Sequence, residues 1–308
     1  MAIKFLPLYF LLLFSCNQNN IENEAETSSE EISDTVPDFN YQLNKEDTKY
    51  DPGEELVEIS GLEYLNDSVH LCIQDEEGIV FFFNLRTENV VRKLRFHGQG
   101  DFEGVARAGN DLWVLKSDVT LYRIINFTEE NPRVEKHTTR LGEDQDAEGL
   151  CYDEKHHRLL IACKDDAGIN NKNKKAVYAF DLNKKEILEQ PVILIDSEEM
   201  REHVLDNALD EVSLAVREAI TLSGSKSFIR PSAIAIHPAD GSVFILSSRF
   251  SILIVLNADY TVRHVLSVEN DHFLQPEGIT FSSGGDLYIS NEGNNLTPNI
   301  LKFSQRDK

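Results

Sequence analysis

The chain has 308 residues, with 53 Asp and Glu against 30 Lys and Arg and a net charge of −23. This charge argues against nucleic acid and anionic lipid surfaces as partners, because both are themselves polyanions. After the first fifteen residues, no stretch approaches the roughly 18 apolar residues of a membrane-spanning helix. The rest of the chain is therefore expected on one side of a membrane, and its length suits one β-propeller or two ordinary domains.

Residues 1–15 predict a lipoprotein signal peptide. Lys4 is the only charged residue before an apolar run that is too short to span a bilayer as a helix. The run ends at Leu13-Phe14-Ser15-Cys16, which resembles the lipobox of bacterial lipoproteins. The resemblance implies that Cys16 is acylated, with palmitate among its chains, and anchors the protein to the inner or the outer membrane. An ordinary secretory peptide, or an uncleaved anchor, is the alternative.

Residues 16–39 predict an acidic, disordered tether. The segment holds seven acidic residues and no Lys or Arg, amid Asn, Ser and Thr. Such a composition buries too little apolar surface to offset the entropy lost on ordering. The folded domain is therefore expected over residues 40–308, outside the cytoplasm and in the cell envelope.

Three further cysteines, Cys72, Cys151 and Cys163, lie in apolar, strand-like runs. We expect them to be buried core thiols, because an unpaired cysteine packs as a small hydrophobic residue. A disulfide between Cys151 and Cys163 is the alternative.

One short pattern recurs five times and predicts the fold. Each copy places a Gly, or once an Ala, between a Ser or Glu and an aliphatic residue. The copies are Glu58-Ile-Ser-Gly-Leu62, Asp101-Phe-Glu-Gly-Val105, Asp146-Ala-Glu-Gly-Leu150, Arg230-Pro-Ser-Ala-Ile234 and Gln275-Pro-Glu-Gly-Ile279. Their fourth residues are 43, 45, 84 and 45 positions apart. A period of about 40 to 50 residues is typical of propeller blades.

A second apolar strand follows each copy and ends in a polar residue, namely Asp75, Asp118, Asp165, Arg249 or Glu292. These ends lie 14 or 16 residues after the repeat Gly or Ala, a difference that preserves side-chain parity on a strand. Third strands and weaker fourth strands follow in the repeats. The sequence therefore predicts an all-β fold, a β-propeller of five four-stranded blades, with a degenerate sixth blade as the alternative. A β-sandwich would show no such period.

The double step between the third and fourth copies contains a predicted helix. Apolar residues recur there at helical spacing with charges between them, and Asp196 and Glu199 resemble a capping pair. We expect one amphipathic helical insertion over about residues 197–224. A strand over residues 40–45 is expected to complete the last blade and close the ring.

The residue before the repeat Gly or Ala indicates the chemistry of the central channel. It is Ser60, Glu103, Glu148, Ser232 and Glu277 in the five copies. If the repeats are equivalent, Glu103, Glu148 and Glu277 converge on the axis and form an acidic funnel, where they are candidate ligands for Ca2+ or another divalent cation. In the alternative interpretation each Glu caps backbone amides, and the Gly allows a tight backbone.

Further polar residues flank this funnel and are candidates for ligand binding. They are Asp101, Asp146, Arg230, Arg249, Asn291 and Glu292. Asn291 could add a carbonyl ligand to a metal, whereas Arg230 or Arg249 could neutralise the glutamates instead. The sequence has no GxSxG, HExxH, P-loop or GxGxxG motif, and no catalytic residue is assigned.

These repeats resemble the SdiA-regulated family of bacterial propellers, which carry Ser-Gly-Leu and Glu-Gly-(Leu/Val/Ile) blade motifs and often a lipoprotein signal. The resemblance rests on the first, second, third and fifth copies and on Asp286-Leu-Tyr-Ile-Ser290, and it covers about residues 40–305. The fourth copy departs from the pattern, with Ser232-Ala233 in place of Glu-Gly. The family name describes expression under a quorum-sensing regulator. The chain is similar, more distantly, to NHL-type and gluconolactonase-like propellers, where Glu, Asn and Asp from several blades hold a divalent metal.

Two functions fit these patterns. The first is a membrane-anchored, extracytoplasmic module that binds a ligand or an envelope protein at the acidic channel mouth, with Ca2+ as a candidate ion. The alternative is a metal-dependent hydrolase of a lactone or a phosphoester, in which one of the three glutamates activates a metal-bound water. The lack of a nucleophile motif favours the binding module.

Overall fold

The computed structural model describes residues 39–165, 167–168, 171, 174–206, 212–223, 229–268, 271–294 and 296–306. The predicted signal peptide, Cys16 and nearly all of the predicted tether lie outside the described residues. Of the helices within the described ranges, none is both long and apolar enough to cross a membrane.

Five antiparallel sheets follow one another along the described chain and form the blades of a propeller. A first short strand, β1 (Thr48–Tyr50), belongs to the last blade. Blade 1 contains β2 (Ile59–Asn66), β3 (Val69–Gln74), β4 (Glu77–Asn84) and β5 (Asn89–Gln99). Blade 2 contains β6 (Phe102–Ala108), β7 (Asp111–Lys116), β8 (Leu121–Ile125) and β9 (Arg133–His137). Blade 3 contains β10 (Ala147–Asp153), β11 (Arg158–Cys163) and β12 (Lys174–Asp181), and both β13 (Glu186–Ile187) and β14 (Ile193–Asp196) pair with β12.

Blade 4 contains β15 (Pro231–Ile236), β16 (Val243–Ser247), β17 (Ile252–Leu256) and β18 (Val262–Ser267). Blade 5 contains β19 (Pro276–Phe281), β20 (Leu287–Asn291) and β21 (Asn299–Phe303), and β1 pairs with β21 as its fourth strand. The predicted all-β propeller with five blades is confirmed, and the described residues form no sixth blade.

The hydrophobic core lies between neighbouring blades. Every residue of β17 is buried, because each blade packs against another blade on both faces. Between blades 1 and 2, for example, Leu71 and Phe82 pack with Val105 and Val114. This two-sided burial explains why the middle strands appear in the sequence as continuous apolar runs rather than as alternating patterns.

The repeat glycines allow the innermost strands to pack closely against one another. A Cβ atom on Gly104 would lie 2.6 Å from Cβ of Leu150 and 3.1 Å from its backbone nitrogen in the next blade. A Cβ on Gly278 would likewise lie 3.1 Å from the backbone nitrogen of Leu62, where blade 5 meets blade 1. Glycine is required at these positions because a neighbouring backbone cannot move aside as a flexible side chain can. The tight-backbone role expected for the repeat Gly is confirmed.

The strand that closes the ring differs from the predicted one. It is β1, whereas residues 40–45 form no strand and bury Tyr41 and Leu43 against blades 4 and 5. The Tyr41 hydroxyl donates to the carbonyl oxygen of Gly285 at 2.5 Å. The apolar residues of this segment therefore pack against blade side chains, and the more polar β1 supplies the edge pairing.

The helical insertion consists of two described helices rather than one. They are α1 (Ser197–Asp206) and α2 (Leu214–Ser223). The Asp196 carboxylate accepts from the backbone amides of Glu198 and Glu199 at 3.0 and 3.4 Å, so it caps α1. The Ser213 hydroxyl oxygen accepts from the amide of Val216 at 3.3 Å and caps α2. A second helix therefore begins at Leu214, although the two helices share one apolar periodicity.

The three described cysteines are buried and none forms a disulfide. Cys151 pairs with Leu160 across β10 and β11, whereas Cys163 pairs with Ala147 at the other end of the same two strands. Core thiols are therefore confirmed, and the alternative of a Cys151–Cys163 bridge is wrong.

Candidate functional site

A β-bulge in every inner strand positions the residue before the repeat Gly or Ala. The pairing of inner and second strands skips one residue in each of the five blades, and the skipped residue is Ser60, Glu103, Glu148, Ser232 or Glu277. A bulge redirects a side chain out of the regular alternation of a strand. The five residues therefore lie at the start of the inner strands, around one mouth of the central channel, which we call the upper mouth.

The two serines and the three glutamates use this position differently. The Ser60 hydroxyl donates to the carbonyl oxygen of Phe102 in the next blade at 2.6 Å, and Ser232 donates to that of Pro276 at 2.8 Å. The serines therefore link the inner strands of neighbouring blades by hydrogen bonds. Glu103, Glu148 and Glu277 line, together with Ser60, a cavity of about 10 Å³ on the axis, which has room for about one water molecule.

The three predicted glutamates are close enough to influence one another. Burial, followed by the charges of Glu148 and Asp101, raises the pKa of Glu103 to about 10. Burial, followed by the charges of Glu148 and Glu292, raises the pKa of Glu277 to about 8. The structure thus brings Glu103, Glu148 and Glu277 together around the axis, where ionising all of them is costly.

Blade 3 and the entry to blade 4 form a neutralised sector of the upper mouth, which we call the paired side. The Lys164 ammonium contacts the buried Glu148 carboxylate and lies 4.0 Å from Asp146. Arg230 lies 3.6 Å from the same Asp146 and 3.2 Å from Asp165. Burial lowers the pKa of Lys164, but the contact with Glu148 and the charges of Asp146 and Glu277 together outweigh burial and hold that pKa above its usual value.

The rest of the upper mouth, which we call the unpaired side, is acidic. Its carboxylates are those of Glu58, Asp75, Asp101, Glu103, Glu277 and Glu292. Among the described residues, no lysine or arginine nitrogen lies within 4.0 Å of any of them. Burial and the charge of Glu58 raise the pKa of Asp75 to about 6, and burial with the charge of Asp75 raises that of Glu292 to about 7.

Neutral side chains hold parts of the unpaired side in place. The Gln275 amide donates to Glu292 at 2.6 Å, and the Ser117 hydroxyl donates to Asp101. One carboxylate oxygen of Asp75, Oδ1, is buried and has no hydrogen-bond partner within the described part of the chain. These hydrogen bonds fix the carboxylates and stabilise their ionised forms in part, but they supply no opposite charge.

Two predicted site residues have other surroundings than expected. Asn291 is fully buried and donates from its side chain to Asn299 at 2.9 Å, while its own carbonyl oxygen finds no partner among the described groups. Arg249 is exposed, and its guanidinium lies 5.1 Å from the ring centroid of Phe250. Of the two arginines expected to neutralise the glutamates, only Arg230 makes ion pairs in the described structure.

The strand register corrects the predicted alignment of the second strands. In each blade, one residue of the second strand pairs with the repeat Gly or Ala. Two positions after that paired residue stand Asp75, Ser117, Lys164, Ser248 and Glu292 in blades 1 to 5. The sequence predicted that this position follows the repeat Gly or Ala by 14 or 16 residues. Between some blades, however, the turns that join the first and second strands differ in length by an odd number of residues. Lys164, not Asp165, is thus the counterpart of Asp75 and Glu292.

Lys164 and Lys175 are the mouth residues that sequence reasoning missed. Lys175 is buried, with its ammonium on the carbonyl oxygen of Lys164 and 3.8 Å from the Asp165 carboxylate. The sequence feature that indicates Lys164 is its position directly after an apolar strand. The feature that indicates Lys175 is weaker, because this residue lies at the start of a strand that follows a polar loop.

The donor set of the upper mouth bears on the predicted metal. Carboxylate and amide oxygens are the ligands that Ca2+ prefers. In the ranges that the structure describes, however, no group of three His, Cys, Asp or Glu side chains is arranged to hold a metal ion. Glu148, one of the three candidate ligands, is moreover in contact with Lys164.

By its fold and its site, the protein is a five-bladed propeller with bulged inner strands and a partly neutralised acidic mouth. The chain belongs to the SdiA-regulated family, whose family model matches residues 33–297. No curated protein matches the sequence.

Solved structures resemble the chain in fold. The similarity to the glutaminyl cyclase of Myxococcus xanthus covers 85% of this chain and 96% of that one, with 15% identity and a TM-score of 0.53. The virginiamycin B lyase of Staphylococcus aureus is 11% identical with a TM-score of 0.44, over 80% of this chain and 66% of that one. At such identities the likeness concerns the propeller fold alone.

Proposed function

We propose that this propeller binds a protein partner through basic side chains that dock on the unpaired side of its upper mouth. The observation that carries the proposal is the asymmetry of the mouth: Lys164, Lys175 and Arg230 form ion pairs in one sector, and no lysine or arginine among the described residues forms one in the other. A partner that supplied lysine or arginine there would relieve the repulsion among buried carboxylates. The same charge would accelerate the encounter by electrostatic steering.

Ca2+ at the three glutamates is the competing occupant. The buried, unpartnered carbonyl oxygen of Asn291 suits a hard cation, and so do the carboxylates. A basic partner fits better, because the carboxylates are distributed over three blades and one candidate ligand already has an ammonium partner. No contact among the described residues gives comparable support to the metal-dependent hydrolase.

The test uses a fluorescein-labelled tetralysine peptide as the probe and anisotropy at low salt as the readout. The titration is run at pH 8, above the pKa of about 6 for Asp75 and about 7 for Glu292, so the double variant Asp75→Asn/Glu292→Gln removes two charges from the unpaired side. The matched control, Glu130→Gln/Glu186→Gln, removes two charges from exposed positions elsewhere on the propeller. We expect the first variant to bind at least about tenfold more weakly than wild type, and the control to bind as wild type.

Equal losses in both double variants would mean that the peptide responds only to net charge, and the proposal would be wrong. The metal is tested in parallel by melting the protein in EDTA, in Mg2+ and in Ca2+. The proposal expects Ca2+ and Mg2+ to shift the melting temperature equally. A rise of several degrees that is specific to Ca2+ would identify an ion site instead.

We also propose that the propeller is held in the bacterial cell envelope by a lipid on Cys16, with residues 17–39 as its tether. The support is the sequence around Cys16, since the segment lies outside the described residues. Replacing Cys16→Ser should abolish incorporation of labelled palmitate and move the protein from the membrane fraction to the soluble fraction. Retention of the label in the variant would overturn the anchor.

A further inference from the structure

A second concave site lies at the opposite end of the central channel, which we call the lower cavity. Its volume is about 540 Å³, and the later residues of the inner strands from all five blades line it. This volume falls within the range of roughly 300–1,000 Å³ that is usual for small-molecule sites. The upper mouth, at the start of the same strands, lines a separate and much smaller cavity.

One position of the repeat explains the chemistry of the lower cavity. The residue two places after the repeat Gly or Ala is Glu63, Ala106, Cys151, Ala235 or Thr280 in blades 1 to 5. Small side chains are expected there, because the inner strands approach one another closely. Blade 1 alone places a long, ionisable side chain at this level, and Glu63 lines the cavity.

The Glu63 carboxylate has no side-chain partner of its own. Among the described residues it accepts no side-chain hydrogen bond, and no lysine or arginine nitrogen lies within 4.0 Å. The guanidinium of its neighbour Arg107 donates instead to the carbonyl oxygen of Leu65 at 3.3 Å. Burial raises the pKa of Glu63 to about 8, although Arg107 acts in the opposite direction.

The other polar groups of the lower cavity already have partners. The Tyr64 hydroxyl donates to Asp67 at 2.6 Å, and the Tyr152 hydroxyl lies 2.9 Å from Nδ1 of His157. Asp153 accepts from Arg158 at 2.8 Å.

Glu154 and Lys155 also line the cavity but are exposed, where solvent screens their opposite charges. Glu63 is thus a partly buried carboxylate of the cavity that has no lysine or arginine nitrogen within 4.0 Å among the described residues, and the charge and backbone amide of Arg107 offset only part of the effect of burial.

We propose that the lower cavity binds a small organic amine, whose ammonium group pairs with the Glu63 carboxylate and whose carbon chain packs on the aliphatic part of the lining. Ile236, which is partly exposed, and the exposed Pro238 supply that apolar surface. The net charge of −23 favours a cation over an anion of the same size. This site is independent of the partner proposed for the upper mouth.

The experiment compares three probes of equal length by titration calorimetry of the full chain: pentylammonium, 1-pentanol and pentanoate. Wild type should bind the amine at least about tenfold more tightly than either of the others. Because burial raises the pKa of Glu63 above 7 and the carboxyl group must ionise to pair with the ammonium, binding at pH 7 should release protons. Titrations in two buffers of different ionisation enthalpy measure that release.

Variants locate the site. Glu63→Gln should bring the affinity for pentylammonium down to that for 1-pentanol and abolish the proton release, whereas the exposed control Glu130→Gln should change neither. The upper-mouth variant Asp75→Asn/Glu292→Gln should also bind pentylammonium as wild type.

Any of four results would overturn the proposal: equal affinities for amine and alcohol in wild type, tightest binding of pentanoate, no binding of any probe at millimolar concentration, or loss of binding in the upper-mouth variant alone. The wild-type comparison of probes decides the question even if Glu63→Gln does not fold.

Discussion

The paired and unpaired sides of the upper mouth are built from the same repeat and differ in the residues that follow the second strands and in the cations beside them. Asp75 and Glu292 follow the second strands of blades 1 and 5, whereas Lys164 follows that of blade 3, where Lys175 and Arg230 also form ion pairs. The bulge that presents Glu103, Glu148 and Glu277 is the same in the three blades concerned. The comparison teaches that the repeat fixes where the carboxylates lie, and that single residues outside the repeat motif decide whether their charge is compensated.

The strongest test of this comparison removes the cation of the paired side. In Lys164→Met the buried Glu148 loses its ammonium partner, and we expect the free energy of unfolding at pH 8 to fall by about 2–4 kcal/mol. The loss should be smaller at pH 5, because a protonated Glu148 needs no cation. Urea unfolding at both pH values measures the effect. The exposed Lys45→Met is the control, and if it lost as much stability, the ion pair would not be the cause.

On the unpaired side, removing a charged side chain should raise the free energy of unfolding instead of lowering it. Glu277 is buried and has no lysine or arginine nitrogen within 4.0 Å among the described residues, and burial outweighs the more distant charge of Lys164 and the hydrogen bond of Gln275, so Glu277→Gln should stabilise the protein at pH 8 by roughly 1–2 kcal/mol. The folded-state pKa of about 8 lies above the unfolded value, so ionisation lowers stability progressively as the pH rises from about 4.5 to 8. The variant and wild type should therefore unfold alike near pH 4.5. A destabilised variant at pH 8 would mean that Glu277 has a compensating partner.

The features of this molecule that depend on local sequence signals could be predicted, whereas those that depend on the register between strands could not. The blades could be predicted because the period, the glycines and the apolar runs are local signals, and each is enforced by packing between blades. The convergence of the three glutamates required only equivalent repeats. The cation beside Glu148 could not be predicted, because it depends on the register between two strands, and turns of unequal length shift that register by single residues. The lower cavity was missed because Glu63 stands out only against the small residues of four other blades.

The smallest expected effect separates the two arginines that were both candidates to neutralise the mouth. Arg230 lies 3.6 Å from Asp146 and 3.2 Å from Asp165, and all three side chains are partly exposed. Exposed pairs contribute about 0.2–1 kcal/mol, so Arg230→Gln should cost up to about 1 kcal/mol at low salt and less at high salt. Arg249→Gln should change the free energy of unfolding by less than about 0.5 kcal/mol at either salt concentration, because its guanidinium has no carboxylate within 4.0 Å in the described structure. Urea unfolding of both variants at two salt concentrations measures the difference. Equal, salt-sensitive losses would place Arg249 on the paired side as well and would extend that side to the segment that follows the second strand of blade 4.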